Sequence, residues 1–158
     1  MSLLRRSLTP LLAVFVLAAC SLDTSVRVPD PIDPPADTWN SVLDVDFSEM
    51  TKLSSGVYIR DDQLGTGESV TSASTVSIFY SGYLPTGYQF DSNVGGDAYV
   101  VPLAQVVPGL RLGMEGMQPG GKRRIIIPGP LGYPDGNFNA GIPANSNLLF
   151  DIEFVDFH

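Results

Sequence analysis

The stretch "NLLFDIEFVDF", residues 147–157, sets Leu148, Phe150, Ile152 and Phe154 in alternation with Leu149, Asp151 and Glu153. Successive side chains of a strand point to opposite faces, so this period of two predicts a strand with one face in a core and the other wet. Five more segments share the β character: "GVYIRD" (56–61), "STVSIFYSGYL" (74–84), "QFDS" (89–92), "DAYVVPL" (97–103) and "KRRIIIP" (122–128). Val76, Ile78 and Tyr80 fall on one face by the same period, and three consecutive isoleucines suit a buried strand. Gly65-Thr66-Gly67 and Pro85-Thr86-Gly87 read as turns. One stretch, "PGLRLGMEGM" (108–117), reads as helix, with Pro108 at its start and Leu110, Met114 and Met117 at i, i+4 and i+7. Gly109, Gly113 and Gly116 each weaken it by ~1 kcal/mol against alanine, so it needs tertiary packing and permits close approach to a sheet. The expected fold is α+β, a twisted antiparallel β-sheet wrapped around one short α-helix, over residues 51–158.

The first fifty residues read differently. Arg5 and Arg6 precede an apolar run, Leu11 to Leu17, that is too short to span a bilayer. Leu17-Ala18-Ala19-Cys20 then resembles the lipobox of bacterial lipoproteins, which implies a signal peptide over residues 1–19 and a lipid on Cys20. Cys20 is the one cysteine, so none remains for a disulfide or thiol catalysis. Cleavage would remove two of the nine Lys/Arg and no acid, leaving seven against seventeen Asp/Glu, a formal charge of −10. Such a surface repels nucleic acid and anionic headgroups, so acyl chains would have to hold the protein on a membrane. Ser21 leans towards the outer membrane of a cell envelope, facing periplasm or cell surface, because Asp at that place often marks inner-membrane retention. Residues 20–50 are expected as a tether. Within them "SLDTSVRVPDPIDPPADT" (21–38) has four prolines and four aspartates and no apolar period, while residues 39–50 are intermediate, with Trp39, Val42, Leu43, Val45 and Phe47 suited to a short dock or to the first edge of the domain.

Several chemistries are disfavoured by residue type. Gly116, Gly121 and Lys122 fit a phosphate-loop spacing, but Arg123 stands where Ser or Thr is needed and helix precedes strand, the reverse of the required order. The plainer reading is a helix-to-strand turn with Lys122, Arg123 and Arg124 in solvent. The lone histidine is His158, so no His-based triad or metal cluster can be built, and no calcium loop is present. What remains is an aromatic and aliphatic set from six segments, which composition alone reads as a core or an apolar cleft with polar handles. Tyr80 and Asp91 strain the core reading, because a buried hydroxyl or carboxylate costs free energy unless paired.

The order of motifs carries further. "VSIFYSGYL…TGYQFDS", "VVPGLRLGMEGMQPGGKRRIIIP", "LGYPDG" and "AGIPANSNLLFDIEFVDF" together resemble the FKBP family of peptidyl-prolyl cis-trans isomerases, most of all its bacterial macrophage-infectivity-potentiator type, over residues 54–158. The resemblance implies catalytic roles for Tyr80, Phe90 and Asp91, for the backbone N–H of Val107, for the hydroxyl of Tyr133 and for Phe150 as pocket floor. It implies substrate contacts for Tyr99, Val106, Leu110 and Ile142. A bond from the Tyr80 hydroxyl to Asp91 is expected, with Tyr83 and Tyr88 as ordinary strand or turn residues. Leu110 stands where the family usually has tryptophan, Pro134 replaces a glycine, and the loop from Asp91 to Tyr99 is short. Reduced affinity for macrolide inhibitors follows from the first of these.

The implied activity is prolyl isomerisation of exported polypeptides, with no cofactor and no metal. The chain would act as a monomer, since only a short tether precedes the domain. The alternatives are a catalytically weak chaperone or binding module that keeps the cleft, and a lipoprotein that tethers partners through its acidic arm.

Overall fold

The computed structural model describes residues 28–158. The signal segment expected at 1–19, the lipidated Cys20 and the start of the tether lie outside the described residues. Seven strands form one antiparallel sheet: β1 (Thr51–Lys52), β2 (Tyr58–Gln63), β3 (Thr75–Tyr83), β4 (Gln89–Ser92), β5 (Tyr99–Pro102), β6 (Lys122–Ile127) and β7 (Leu148–Phe157). Their order is β1-β2-β6-β7-β3-β4, with β5 pairing the first half of β3 beside β4. The helix α1 (Pro108–Met114) packs on β6. The α+β fold expected from the sequence is therefore present, and all six expected strands fall within their segments or two residues beyond them.

The helix glycines explain how closely α1 sits. A Cβ at Gly109 would collide with Ile127, and one at Gly113 with Ile125. The glycines that cost helix propensity thus bring the α1 backbone onto the sheet. Leu110, Met114, Ile125, Ile127, Leu148, Phe150 and Phe154 fill the space between them.

The opposite face of the sheet departs from expectation. Leu149, placed on the wet side by the alternation, is fully buried, and so is Ile126. They form a second cluster with Leu43 and Tyr58, against which Trp39, Val45, Phe47 and Met50 pack. The cover is Trp39 to Met50, the short dock expected within the tether, although Val42, expected with it, is 77% exposed. Residues 28–38 have backbone and side-chain bonds to the domain rather than hanging free: Pro34 is buried, Asn145 Nδ2 donates to Pro29 O at 2.8 Å, and Asn147 Nδ2 donates to Ile32 O at 3.0 Å. Trp39 Nε1 donates to Pro34 O at 2.8 Å, closing the arm on itself. Phe47 stands edge-on to Tyr58 with ring centroids 5.0 Å apart. Proline stiffness and charge predicted extension, but the arm is broken by 3-10 turns at Pro34–Ala36, Ser41–Leu43 and Phe47–Glu49. Leu43, buried, and Trp39, Val45, Phe47 and Met50, partly buried, decide where it lies, since fully burying one such side chain stabilises by ~1.5–3 kcal/mol.

Two arginines expected in solvent are structural. Alternation on β6 sends Arg123 to the helix side and Arg124 to the arm side. Arg123 is buried, grips Asp61 with Nε and Nη2 at 2.6 and 2.9 Å, and donates from Nη1 to the carbonyls of Gly113 and Glu115 at the helix end. Arg124 grips Asp151 in the same two-point way and donates from Nη1 to Leu43 O and Asp44 O, fastening the arm to the sheet. Lys122 alone behaves as expected, half-exposed beside Glu153.

Arg123→Met should destabilise the domain by ~2–3 kcal/mol. That is below the ~3–5 kcal/mol for breaking a fully buried pair, because the Asp61 side chain keeps 31% exposure. The urea midpoint measures it, and an unchanged midpoint would show that the helix end does not depend on this side chain.

Candidate functional site

β3 and β4 build one wall of a pocket. Regular pairing would send Phe90 and Asp91 to opposite faces, yet both face the same cavity. The reason is a bulge: Gly82 pairs with Asp91 and Tyr83 with Gln89, leaving Phe90 as the extra residue. The Phe90 ring then folds over β3 where it has no side chain. A Cβ at Gly82 would stand 2.5 Å from Phe90 Cζ and 3.1 Å from Phe150 Cε1. Phe150, from β7, meets Phe90 edge-on at 5.5 Å between centroids, and Tyr80 lies 6.4 Å from Phe150.

The opposite wall and the floor come from the start of α1 and the segment before it. Val106 and Val107 are half-buried and Leu110 is buried, all lining the same cavity of about 300 Å³. Tyr99 closes one rim, its ring tilted against Tyr80 at 6.0 Å, and Tyr133 closes another. The structure thus brings together nine of the ten residues expected there. Ile142 is the exception: it is only 1% exposed and packs inside the core rather than lining the cavity. Ile78 and Gln105 line the cavity and were not singled out from the sequence. Ile78 was legible, two residues before Tyr80 on the same face of β3. Gln105 sits in a one-turn 3-10 segment that has no sequence period to betray it.

The polar groups are few and placed at the edge. The Tyr80 hydroxyl donates to Asp91 Oδ2 at 2.7 Å, the bond expected from the sequence. Burial first, then this bond, then the Asp91 charge raise the Tyr80 hydroxyl's pKa above the ordinary tyrosine value, so the phenol stays protonated at physiological pH. Asn93 fixes the turn after them. Its Oδ1 accepts from Tyr80 N, and its Nδ2 donates to Ile78 O and Asp97 O. Two donors are left over: among the described residues none accepts from the Val107 N–H or the Tyr133 hydroxyl. A largely apolar cavity with five aromatic side chains, a paired phenol–carboxylate and two spare donors can hold a compact apolar ring and orient carbonyl oxygens beside it. No histidine or lysine lines it, and the one hydroxyl bonded to a carboxylate there is the Tyr80 phenol, whose raised pKa makes it a poor nucleophile.

A wider groove of about 690 Å³ runs between the arm and the loops at 84–86 and 143–146. Size does not favour it as the site, because aromatic walls and spare donors converge only on the smaller cavity.

Fold and cavity together define a prolyl-isomerase class of domain. Residues 66–155 match the family model of the FKBP-type peptidyl-prolyl cis-trans isomerases, and the chain belongs to that family. It is 43% identical over 107 residues to FK506-binding protein 4 of Chaetomium thermophilum, covering 66% of this chain and 22% of that one. It is 38% identical over 103 residues to a probable FKBP-type peptidyl-prolyl cis-trans isomerase of Haemophilus influenzae, covering 65% and 43%. The solved structure of FkpA from Escherichia coli superposes with a TM-score of 0.64 at 32% identity, over 69% of this chain and 51% of that one. The chain thus matches less than half the length of these two curated relatives.

The raised pKa of Tyr80 has a sign that can be measured. The folded state holds the phenolic proton more tightly than the unfolded chain, where tyrosine titrates near ~10. Its stabilisation is full below about pH 10 and is lost as pH rises beyond that, because the native state then binds more protons than the unfolded one. The gap in melting temperature between the parent and Tyr80→Phe should stay constant from about pH 7 to about pH 9 and narrow near about pH 11.

Proposed function

We propose that this chain is a peptidyl-prolyl cis-trans isomerase of exported polypeptides, held at the cell envelope by a lipid on Cys20. The observation that carries the catalytic part is the cavity itself, five aromatic rings around an apolar floor with the Val107 N–H and the Tyr133 hydroxyl unpaired at its edge. The signal-like start and Leu17-Ala18-Ala19-Cys20 support the anchor and a bacterial lipoprotein of the macrophage-infectivity-potentiator kind. Ser21 favours the outer membrane.

The reaction asks for little covalent chemistry. Rotation about a peptide bond has a barrier of ~18–20 kcal/mol, and X-Pro bonds still take tens to hundreds of seconds to turn unaided. No bond breaks, so no acid or base is needed. The planar amide is the more dipolar state, and the twisted amide has lost its resonance. A cavity lined by Phe90, Phe150, Val106 and Leu110 solvates the planar dipole poorly, which narrows the gap between the two states. The prolyl ring enters among the aromatic faces. The Val107 N–H and the Tyr133 hydroxyl donate to substrate carbonyls and fix the chain on one side of the rotating bond. Asp91 holds the Tyr80 hydroxyl in place at the rim. Lowering the barrier by ~4 kcal/mol would give about a thousandfold. Leu110 presents a smaller, aliphatic floor than tryptophan would, so macrolide inhibitors bind with reduced affinity and turnover is modest.

In a protease-free assay on an Ala-Leu-Pro-Phe peptide, the purified protein should isomerise faster than a heat-denatured control, and equal rates would overturn the reading. Tyr133→Phe and Asp91→Ala should each lower kcat/KM by about five- to tenfold, the worth of one oriented hydrogen bond. Leu110→Trp should tighten macrolide binding.

A further inference from the structure

We propose that Asn147 is a positioning residue that ties the arm at residues 28–38 to the loop carrying Tyr133, so that the arm holds one donor of the pocket in place. For its effect on turnover this rests on the prolyl-isomerase reading. The tie itself does not.

Asn147 is only 1% exposed, one of two buried polar or charged side chains among the described residues, with Arg123. Its bonds divide between two elements. Nδ2 donates to Ile32 O at 3.0 Å and to Asp37 Oδ2 at 2.8 Å, both in the arm. Oδ1 accepts from Gly129 N at 3.3 Å. Gly129 opens the 3-10 turn Gly129–Leu131 that leads into Tyr133. A carboxamide can make these three bonds with two donors and one acceptor, whereas the single proton of serine or threonine could serve only one of the two arm acceptors.

Asn145 makes a parallel connection. Its Nδ2 donates to Pro29 O at 2.8 Å, and its backbone N donates to Tyr133 O at 3.2 Å. It holds a left-handed φ of 55°, which asparagine tolerates better than most residues. A Cβ at Gly129 would collide with the Asn145 backbone, so the two loops are already in contact. From the arm to Tyr133 the path is therefore two hydrogen bonds through Asn145, or the Asn147 carboxamide and the turn at Gly129. The arm also touches the other wall. Asn40 N donates to Pro85 O at 2.8 Å and Asn40 Nδ2 to Thr86 O at 2.9 Å, at the tip of the hairpin that carries Phe90 and Asp91. The arm thus bridges the bases of both walls without entering the cavity.

The test compares the parent protein with Asp37→Ala, Asp37→Asn and Asn147→Ala, with melting temperature as the check on folding. Asp37→Ala removes one of the two bonds from Asn147 to the arm, the other being to Ile32 O, and leaves the pocket residues in place. It should speed amide exchange at residues 129–136 by about tenfold and raise KM for the prolyl peptide by about threefold, with kcat nearly unchanged. Asp37→Asn keeps an acceptor and should restore both readouts. Asn147→Ala should exceed Asp37→Ala in both, and if it fails to fold, Asp37→Ala decides. Unchanged exchange at 129–136 in folded variants would overturn the tie. Faster exchange with unchanged KM would overturn the positioning role. If the parent isomerises no peptide, the isomerase reading falls and exchange alone decides the tie.

Discussion

The triplet Ile125-Ile126-Ile127 must be dry on both faces of β6, and the rest of the architecture follows from that demand. Odd positions face α1, which reaches them only because Gly109 and Gly113 carry no side chain. The even position faces outward, beside Leu149 of β7, and needs a cover that the sheet and helix cannot supply. The segment from Trp39 to Met50 supplies it. Arg123 and Arg124 continue the same alternation. Each sends a guanidinium to the layer on its own side, one to the carbonyls ending α1 and the other to the carbonyls of Leu43 and Asp44. Both are neutralised by a two-point carboxylate pair, which is what makes partial burial of a guanidinium tolerable.

The cavity is built from irregularities in this framework. The bulge at Phe90 puts two adjacent side chains on one face, and Gly82 opens the space in which the ring lies. The break between the 3-10 turn at Leu103–Gln105 and α1 leaves Val107 as the residue before the helix, with its N–H unclaimed. Helix N-terminal N–H groups have no partners inside the helix, so a donor aimed at a ligand comes from ordinary helix geometry at no added cost.

Much of the fold was legible because period-two patterning reports directly on burial. The strand segments, the single helix and the Tyr80–Asp91 bond were all readable from "YSGYLPTGYQFDS" and its partners. Patterning misled where a third layer was involved. Leu149 sits among Asp151 and Glu153 and reads as an outward residue, and only the arm makes it core. The arm in turn reads as a tether because its prolines and aspartates dominate the composition, while the few apolar residues that dock it are spread across short 3-10 turns with no period. Ile142 failed for a different reason. Its place in the motif order is that of a pocket residue, but the bridge between Asn137 and Ile142 turns it into the core. Arg123 and Arg124 looked like solvated charge because their partners, Asp61, Asp151 and the carbonyls of Gly113 and Leu43, are distant in sequence.

A catalyst of bond rotation has no reacting atom to protonate, so its demands are on shape, dryness and a small number of fixed donors. Shape and dryness come from the rings and from Leu110, all held by the core that α1 and β7 share. Fixed donors are the harder requirement, because Tyr133 lies on the loop between β6 and β7, whose regular structure is two short 3-10 turns and one isolated bridge. A hydroxyl that wanders by a rotamer or a loop shift must be ordered when substrate binds, which weakens binding of the planar and twisted amides alike and shows in KM. The backbone of that loop is held by Asn145 and Asn147, and both asparagines also hold the arm. The same segment that keeps Ile126 and Leu149 dry therefore braces the loop that carries Tyr133, and stability of the outer face and order of the inner site are two effects of a single packing arrangement.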